Sequence, residues 1–199
     1  MVKRLFVAVL APVASLAAIA GPASAAPPDT RVTVSGGSAG AAVSNCGSAP
    51  GTRCTTIFVS AGETTINDNG TQVQSETVRV DAFDTLVIGP GAVEGTSLGS
   101  AFTTNADVNI PASLRSASAS VEDLAVGGLT LDIDVTWTGL GDLHRSRTLE
   151  TLGEGGTTVR FGASRVADAT AVVNGETFSE FEVFGNVSSL GWSKCRGDC

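Results

Sequence analysis

Leu129, Leu131, Ile133, Val135 and Trp137 alternate along the chain with Thr130, Asp132, Asp134 and Thr136. Successive side chains of an extended chain point to opposite faces. This run therefore predicts a strand with one face buried and the other wet. Gly139 and Gly141 are expected to end it. Weaker alternation predicts strands at residues 31–35, 55–60, 76–81, 85–89 and 117–123, with a short polar connection between the third and fourth. Residues 145–152 and 157–163 flank the glycine-rich stretch 153–156. Residues 166–173 and 176–184 flank Asn174-Gly175. Asn-Gly between two β-like runs is a strong hairpin signal, because both central residues of a type I′ turn need positive φ. No window after the first 25 residues has the period of an amphipathic helix. Many short strands with frequent turns predict an all-β fold, an antiparallel β-sandwich or open barrel.

The first 25 residues follow another pattern. Lys3 and Arg4 precede residues 5–20, which are apolar apart from Pro12 and Ser15, and then Gly21-Pro22-Ala23-Ser24-Ala25-Ala26. A basic start, an apolar run and a small-residue A-x-A site make a cleavable signal peptide at residues 1–25. A membrane anchor would need about 20 apolar residues, and this run is shorter and ends in helix breakers. Removing 25 of the 199 residues leaves 174. Residues 26–30 are a Pro-rich lead-in, and 31–199 are expected to form one β-sandwich domain. A break at residues 105–113 offers a place to divide it, but no internal repeat supports two halves. The expected product is secreted and extracellular, with no membrane span after cleavage.

Composition narrows the function. The chain has 12 Lys+Arg against 20 Asp+Glu, a net charge of -8. An acidic chain is a poor nucleic-acid binder, since phosphate contacts need a basic patch. With 42% hydrophobic and 16% charged residues it is not a disordered chain either. Arg far outnumbers Lys, with only Lys194 left after processing, which is the bias of GC-rich bacterial codons.

Four cysteines, Cys46, Cys54, Cys195 and Cys199, in an exported chain imply two disulfides. Three connectivities are possible. The local one, Cys46–Cys54 and Cys195–Cys199, closes the shortest loops. Neither interval has the C-x2-C spacing of a zinc site, so no metal and no cofactor is expected. Oxidised thiols also leave no cysteine nucleophile.

Phe58-Val59-Ser60-Ala61, Ser116-Ala117-Ser118-Ala119, Asp134-Val135-Thr136-Trp137-Thr138-Gly139 with Gly141 and Arg145, and Arg165-Val166-Ala167-Asp168-Ala169-Thr170-Ala171 carry a resemblance. Over residues 56–192 the chain resembles a group of uncharacterised secreted β-rich proteins of high-GC Gram-positive bacteria. The resemblance implies a β fold and an exported address. It carries over no functional residue.

Candidate chemistry is sparse. Gly36-Gly37-Ser38-Ala39-Gly40 and Gly95-Thr96-Ser97-Leu98-Gly99 fit the G-x-S-x-G elbow, but neither is followed by the helix that the elbow needs. The single histidine, His144, lies near Asp142 and reads as an exposed residue after the main strand. Asp132 and Asp134 share one strand face, roughly 7 Å apart by strand rise. Such a pair suits acid–base work in a glycosidase or an oxygen-ligated calcium ion, and equally a solvated sheet face. Asn67-Asp68-Asn69-Gly70 is half a calcium loop without the downstream acid, and reads as a turn. Arg196-Gly197-Asp198 between Cys195 and Cys199 is either an adhesive triplet in a ring or a polar turn. Trp137 is assigned to the core, which leaves Trp192 as the aromatic available to a ligand. The resulting expectation is a non-catalytic β protein that acts through its surface on an unknown protein or small ligand. A ligand- or carbohydrate-binding module using Trp192 is the alternative, and a weak hydrolase using Asp132 and Asp134 the third reading. Oligomeric state is open.

Overall fold

The structure, a computed structural model, describes residues 31–90, 92–151, 157–180 and 185–196. The predicted signal peptide and lead-in lie outside them, as do Gly197, Asp198 and Cys199. The described residues form ten strands: β1 Arg31–Ser44, β2 Arg53–Asp68, β3 Thr71–Gly89, β4 Ala92–Thr103, β5 Asp107–Asn109, β6 Ser116–Val126, β7 Leu129–Thr151, β8 Thr157–Val173, β9 Glu176–Glu180 and β10 Gly185–Arg196. The fold is all-β, as the alternation predicts, with no helix among the described residues.

Three connections are two-residue turns with both residues at positive φ: Asn69-Gly70 (49° and 91°), Gly127-Gly128 (56° and 84°) and Asn174-Gly175 (49° and 82°). This is the I′ geometry whose twist matches that of the flanking strands. The Asn67–Gly70 stretch is thus a hairpin turn, tightened by a bond from the Gly70 amide to Asn67 Oδ1 at 3.0 Å.

The strands are longer than local alternation predicts. β3 runs straight through the expected polar connection between 81 and 85, and β8 joins two expected pieces. β7 continues past Gly139 and Gly141. Its ladder to β8 pairs Leu140 with Val166 and resumes at His144 with Ser164, so residues 141–143 bulge out. A ladder partner holds the strand together across a bulge that sequence alone reads as an end. β4, β5 and β10 are not foreseen at all. Leu129, expected inside, is 44% exposed because it starts β7 beside the Gly127-Gly128 turn.

All pairings are antiparallel in one sheet of order β4-β3-β2-β1-β10-β8-β7-β6-β5. β9 also sits between β1 and β8, pairing Val43 and Ser44 on one side and residues 170–173 on the other. Chain order is therefore a meander in two halves, joined at β1 and β10. β4 and β5 are its ends, and no ladder joins them among the described residues. The sheet folds over so that β5 and β6 cover the inner face of β1–β3, burying one continuous cluster. The cluster is mostly alanine and valine, with Trp137 its largest side chain at 1% exposed. Small inner residues let the two layers approach closely. Ile110 packs so tightly on Gly37 that a β-carbon there would lie 2.5 Å from its Cγ2.

The Cys46–Cys54 bridge is present, closing the β1–β2 connection with Cα atoms 5.0 Å apart. It lies over a small polar layer in which Thr85 Oγ1 bonds Thr56 Oγ1 at 2.9 Å, both residues being buried. The Cys195–Cys199 pairing falls outside the described residues.

Candidate functional site

Asp132 and Asp134 lie where the alternation puts them, on the exposed face of β7, and both serve the sheet. Asp132 Oδ1 accepts the amide of Asp123 at 2.9 Å, where β6 bulges between Val121 and Leu124 and Asp123 takes φ 53°. The Asp132 amide donates to Asn174 Oδ1 at 2.8 Å, and Asn174 Nδ2 donates to the Thr130 carbonyl at 3.2 Å. Asp132 thus ties the β6 bulge to the β8–β9 turn. Asp134 Oδ1 accepts from Ser120 Oγ at 2.7 Å across the β6–β7 ladder. Their shared exposed face is as expected; one oxygen of Asp132 holds the bulge backbone and one of Asp134 a cross-strand hydroxyl.

His144 is exposed where the β7 ladder resumes after its bulge, and Asp142 is exposed within the bulge. Ser38 and Ser97, the centres of the two G-x-S-x-G matches, lie within β1 and β4 instead of at a strand-to-helix turn. The backbone of Trp192 stands opposite Phe161 in the β8–β10 ladder, and that of Cys195 opposite Thr158; their side chains are outside the described set. Among the described residues no three His, Cys, Asp or Glu side chains gather as a metal site.

The structure brings together a carboxylate pair that the sequence reading missed. Glu63 and Glu76 are direct partners across the β2–β3 ladder. Residues two apart share a face, so both continue the inner rows of Ile57, Val59, Ala61 and of Val78, Val80, Ala82. Glu76 Oε2 accepts the Val108 amide at 2.9 Å and Glu63 Oε2 the Ile110 amide at 3.3 Å. Two carboxylates therefore satisfy amides in and just after the end strand β5. Desolvation pushes the Glu63 carboxyl above the usual glutamate range. The Ile110 amide works against that rise, and the charge of Glu76 adds to it.

The sign follows from linkage. An acid whose folded pKa is raised favours the fold when protonated. That contribution is full below the ordinary glutamate value of 4.5 and is lost as pH rises through the raised folded value. Glu63→Gln removes the like-charge pairing and keeps a carbonyl to accept the Ile110 amide. It is expected to stabilise the fold at pH 7 by about 0.2–1 kcal/mol, the scale of a cross-strand pair, with the gain vanishing near pH 4. Urea unfolding at the two pH values measures it; a loss at pH 7 would contradict the assignment.

Beyond this pair the inner face turns polar. β2 carries Thr65 and Asn67 and β3 carries Gln72 and Gln74 in the same alternating rows. Across β1 and β10, the inner row of β8 runs from Ala169 and Ala167 to Arg165, Ala163 and Phe161. Arg145 and Arg147 of β7 stand opposite Ala163 and Phe161. The Arg147 guanidinium lies over the Phe161 ring, 5.4 Å from its centroid.

No protein family and no curated protein matches the chain. Among solved structures, an acetoacetate decarboxylase-like enzyme from Sphingomonas wittichii RW1 is similar over 90% of this chain and 95% of that one, with a TM-score of 0.30 and 9% identity. At that level neither the fold nor the activity of that enzyme transfers to this chain.

Proposed function

We propose that the chain is an exported, non-catalytic β protein that acts by binding through its surface. The observation that carries the non-catalytic part is the employment of Asp132 and Asp134. These two carboxylates, which the alternation sets side by side on one strand face, are hydrogen-bonded to a bulge amide and to a cross-strand hydroxyl. The exported part rests on the tripartite start of the chain and on the Cys46–Cys54 bridge, since disulfides persist in oxidising compartments. The resemblance to secreted β-rich proteins of high-GC Gram-positive bacteria belongs to this reading.

A ligand-binding module is the second reading. The polar rows of β2 and β3 beyond Glu63 and Glu76, and Phe161 on β8 opposite the β10 backbone at Trp192, favour it. Purified chain is expected to show no turnover on ester, glycoside and peptide substrates. Turnover that Asp134→Asn abolishes while leaving the melting temperature unchanged would establish a hydrolase instead. The same preparation, recovered from a producing bacterium, should begin at Ala26 by mass spectrometry; an intact N-terminus in a cytoplasmic fraction would overturn the export.

A further inference from the structure

We infer that Arg115, Arg145, Arg147 and Arg165 form a binding site for a ligand that carries oxyanion groups. Arg145 and Arg147 are two apart on β7, and Arg145 stands opposite Ala163, which is two residues from Arg165 on β8. Diagonal cross-strand neighbours on one face are about 7–8 Å apart, so the three guanidinium stems form one short ladder. Arg115 joins it from the β5–β6 connection. A β-carbon placed on Gly139 would lie 2.6 Å from Arg165 Cδ and 3.2 Å from Arg115 Cα, so Arg165 and Arg115 flank the same bare backbone.

Four arginines so placed repel one another, and the chain has an excess of acids that could neutralise them. Among the described carboxylates none forms an ion pair with them; the pairs Arg53–Asp84 and Arg79–Asp81 lie elsewhere. The inner-face carboxylates, Glu63 and Glu76, are on β2 and β3. β2 alone is three ladder steps from β8, roughly 14 Å at the usual strand spacing, and both carboxylates are engaged by the amides of Val108 and Ile110. Asp142 and Asp168, nearest along the chain, make no ion pair with the cluster. Arg165 Nε is buried without a partner, a cost of about 1–3 kcal/mol of the kind that native structures keep where a group serves a site. Arg147 is oriented by its stacking on Phe161. Arg115, Arg145 and Arg147 are exposed, so a ligand can reach them.

The guanidinium fork matches a planar carboxylate or a phosphate face through two parallel bonds, which a lysine cannot reproduce. The shared chemistry of the ligand is therefore clustered oxyanions, and citrate and pyrophosphate are probes for its two sources. The inference deepens the binding reading but does not depend on export or on the absence of catalysis.

Titration calorimetry of the purified chain at low ionic strength is expected to show saturable binding of one or both probes. Arg145→Gln, an exposed change that leaves the core intact, should weaken it at least tenfold. Arg145→Lys should recover only part, since charge returns without the fork. Arg79→Gln, which removes a guanidinium already paired with Asp81, should bind as the parent does. Preference for citrate or pyrophosphate assigns the source. No binding of either probe, or equal weakening by Arg145→Gln and Arg79→Gln, overturns the site; the second result would mean that only general charge is sensed. A thermal melt of each variant confirms that a lost signal is not a lost fold.

Discussion

Trp137→Ala is expected to destabilise the protein by about 3–5 kcal/mol, the range for truncating a large buried aromatic. Trp137 is 1% exposed and the largest fully buried side chain. It stands opposite Ala117 on β6 and Ala169 on β8. Its ladder neighbours are alanines, too short to fill the space left behind, so the cavity term should be large. In a protein of this size such a loss lowers the melting temperature by roughly 6–20 °C. Trp137→Phe is the informative companion. The indole Nε1 is buried with no hydrogen-bond partner. Phenylalanine therefore keeps most of the ring, discards an unsatisfied donor, and should cost on the order of 1–2 kcal/mol. Thermal or denaturant unfolding checks both. Equal losses for Ala and Phe would show that the N–H is bonded and that packing is not the main term.

The second large effect is Gly127→Ala, set against Gly128→Ala. The two glycines form one turn, both with positive φ. Nothing lies within 4 Å of a β-carbon on Gly128, whereas one on Gly127 would meet the Leu98 carbonyl oxygen at 1.8 Å. Both variants bear the left-handed penalty of about 1–2 kcal/mol. Only Gly127→Ala adds overpacking, typically about 1–3 kcal/mol, because the obstacle is β4 backbone and cannot rotate away. The difference between the two variants therefore measures how firmly the β6–β7 turn is seated under β4, where the folded-over sheet meets its own end strand. Equal losses would mean that the contact yields freely.

These two sites show different degrees of legibility. Trp137 could be placed in the core from the alternation of residues 129–137, because period two is a local property and the buried face follows from it. The Asn174-Gly175 turn was equally plain. The Glu63–Glu76 pair was missed although its signal was present. A two-residue turn at Asn69-Gly70 fixes the register of the whole hairpin and sets 63 opposite 76. The turn is legible on its own, but the pairing it imposes joins residues thirteen apart, beyond the reach of local alternation. Asp132 and Asp134 were singled out because they neighbour each other in sequence, and that nearness says nothing of the Asp123 amide and the Ser120 hydroxyl that employ them.

The arginine cluster was not legible in the same way. Arg145 and Arg165 are brought together by a ladder with a three-residue bulge, and Arg115 by the backbone passing over Gly139. No local rule sets the size of that bulge. By itself the sequence determined that the described part of the chain is β, which faces of its clearest strands are buried, and that Cys46 and Cys54 can close a short loop. Tertiary structure decided that β1 lies between β2 and β10, that β7 runs on past two glycines, and that the amides of Val108 and Ile110 donate to carboxylates of β3 and β2. Periodicity and turn chemistry act between residues close in the chain, while pairings between distant strands are chosen only when the whole sheet closes over one shared core.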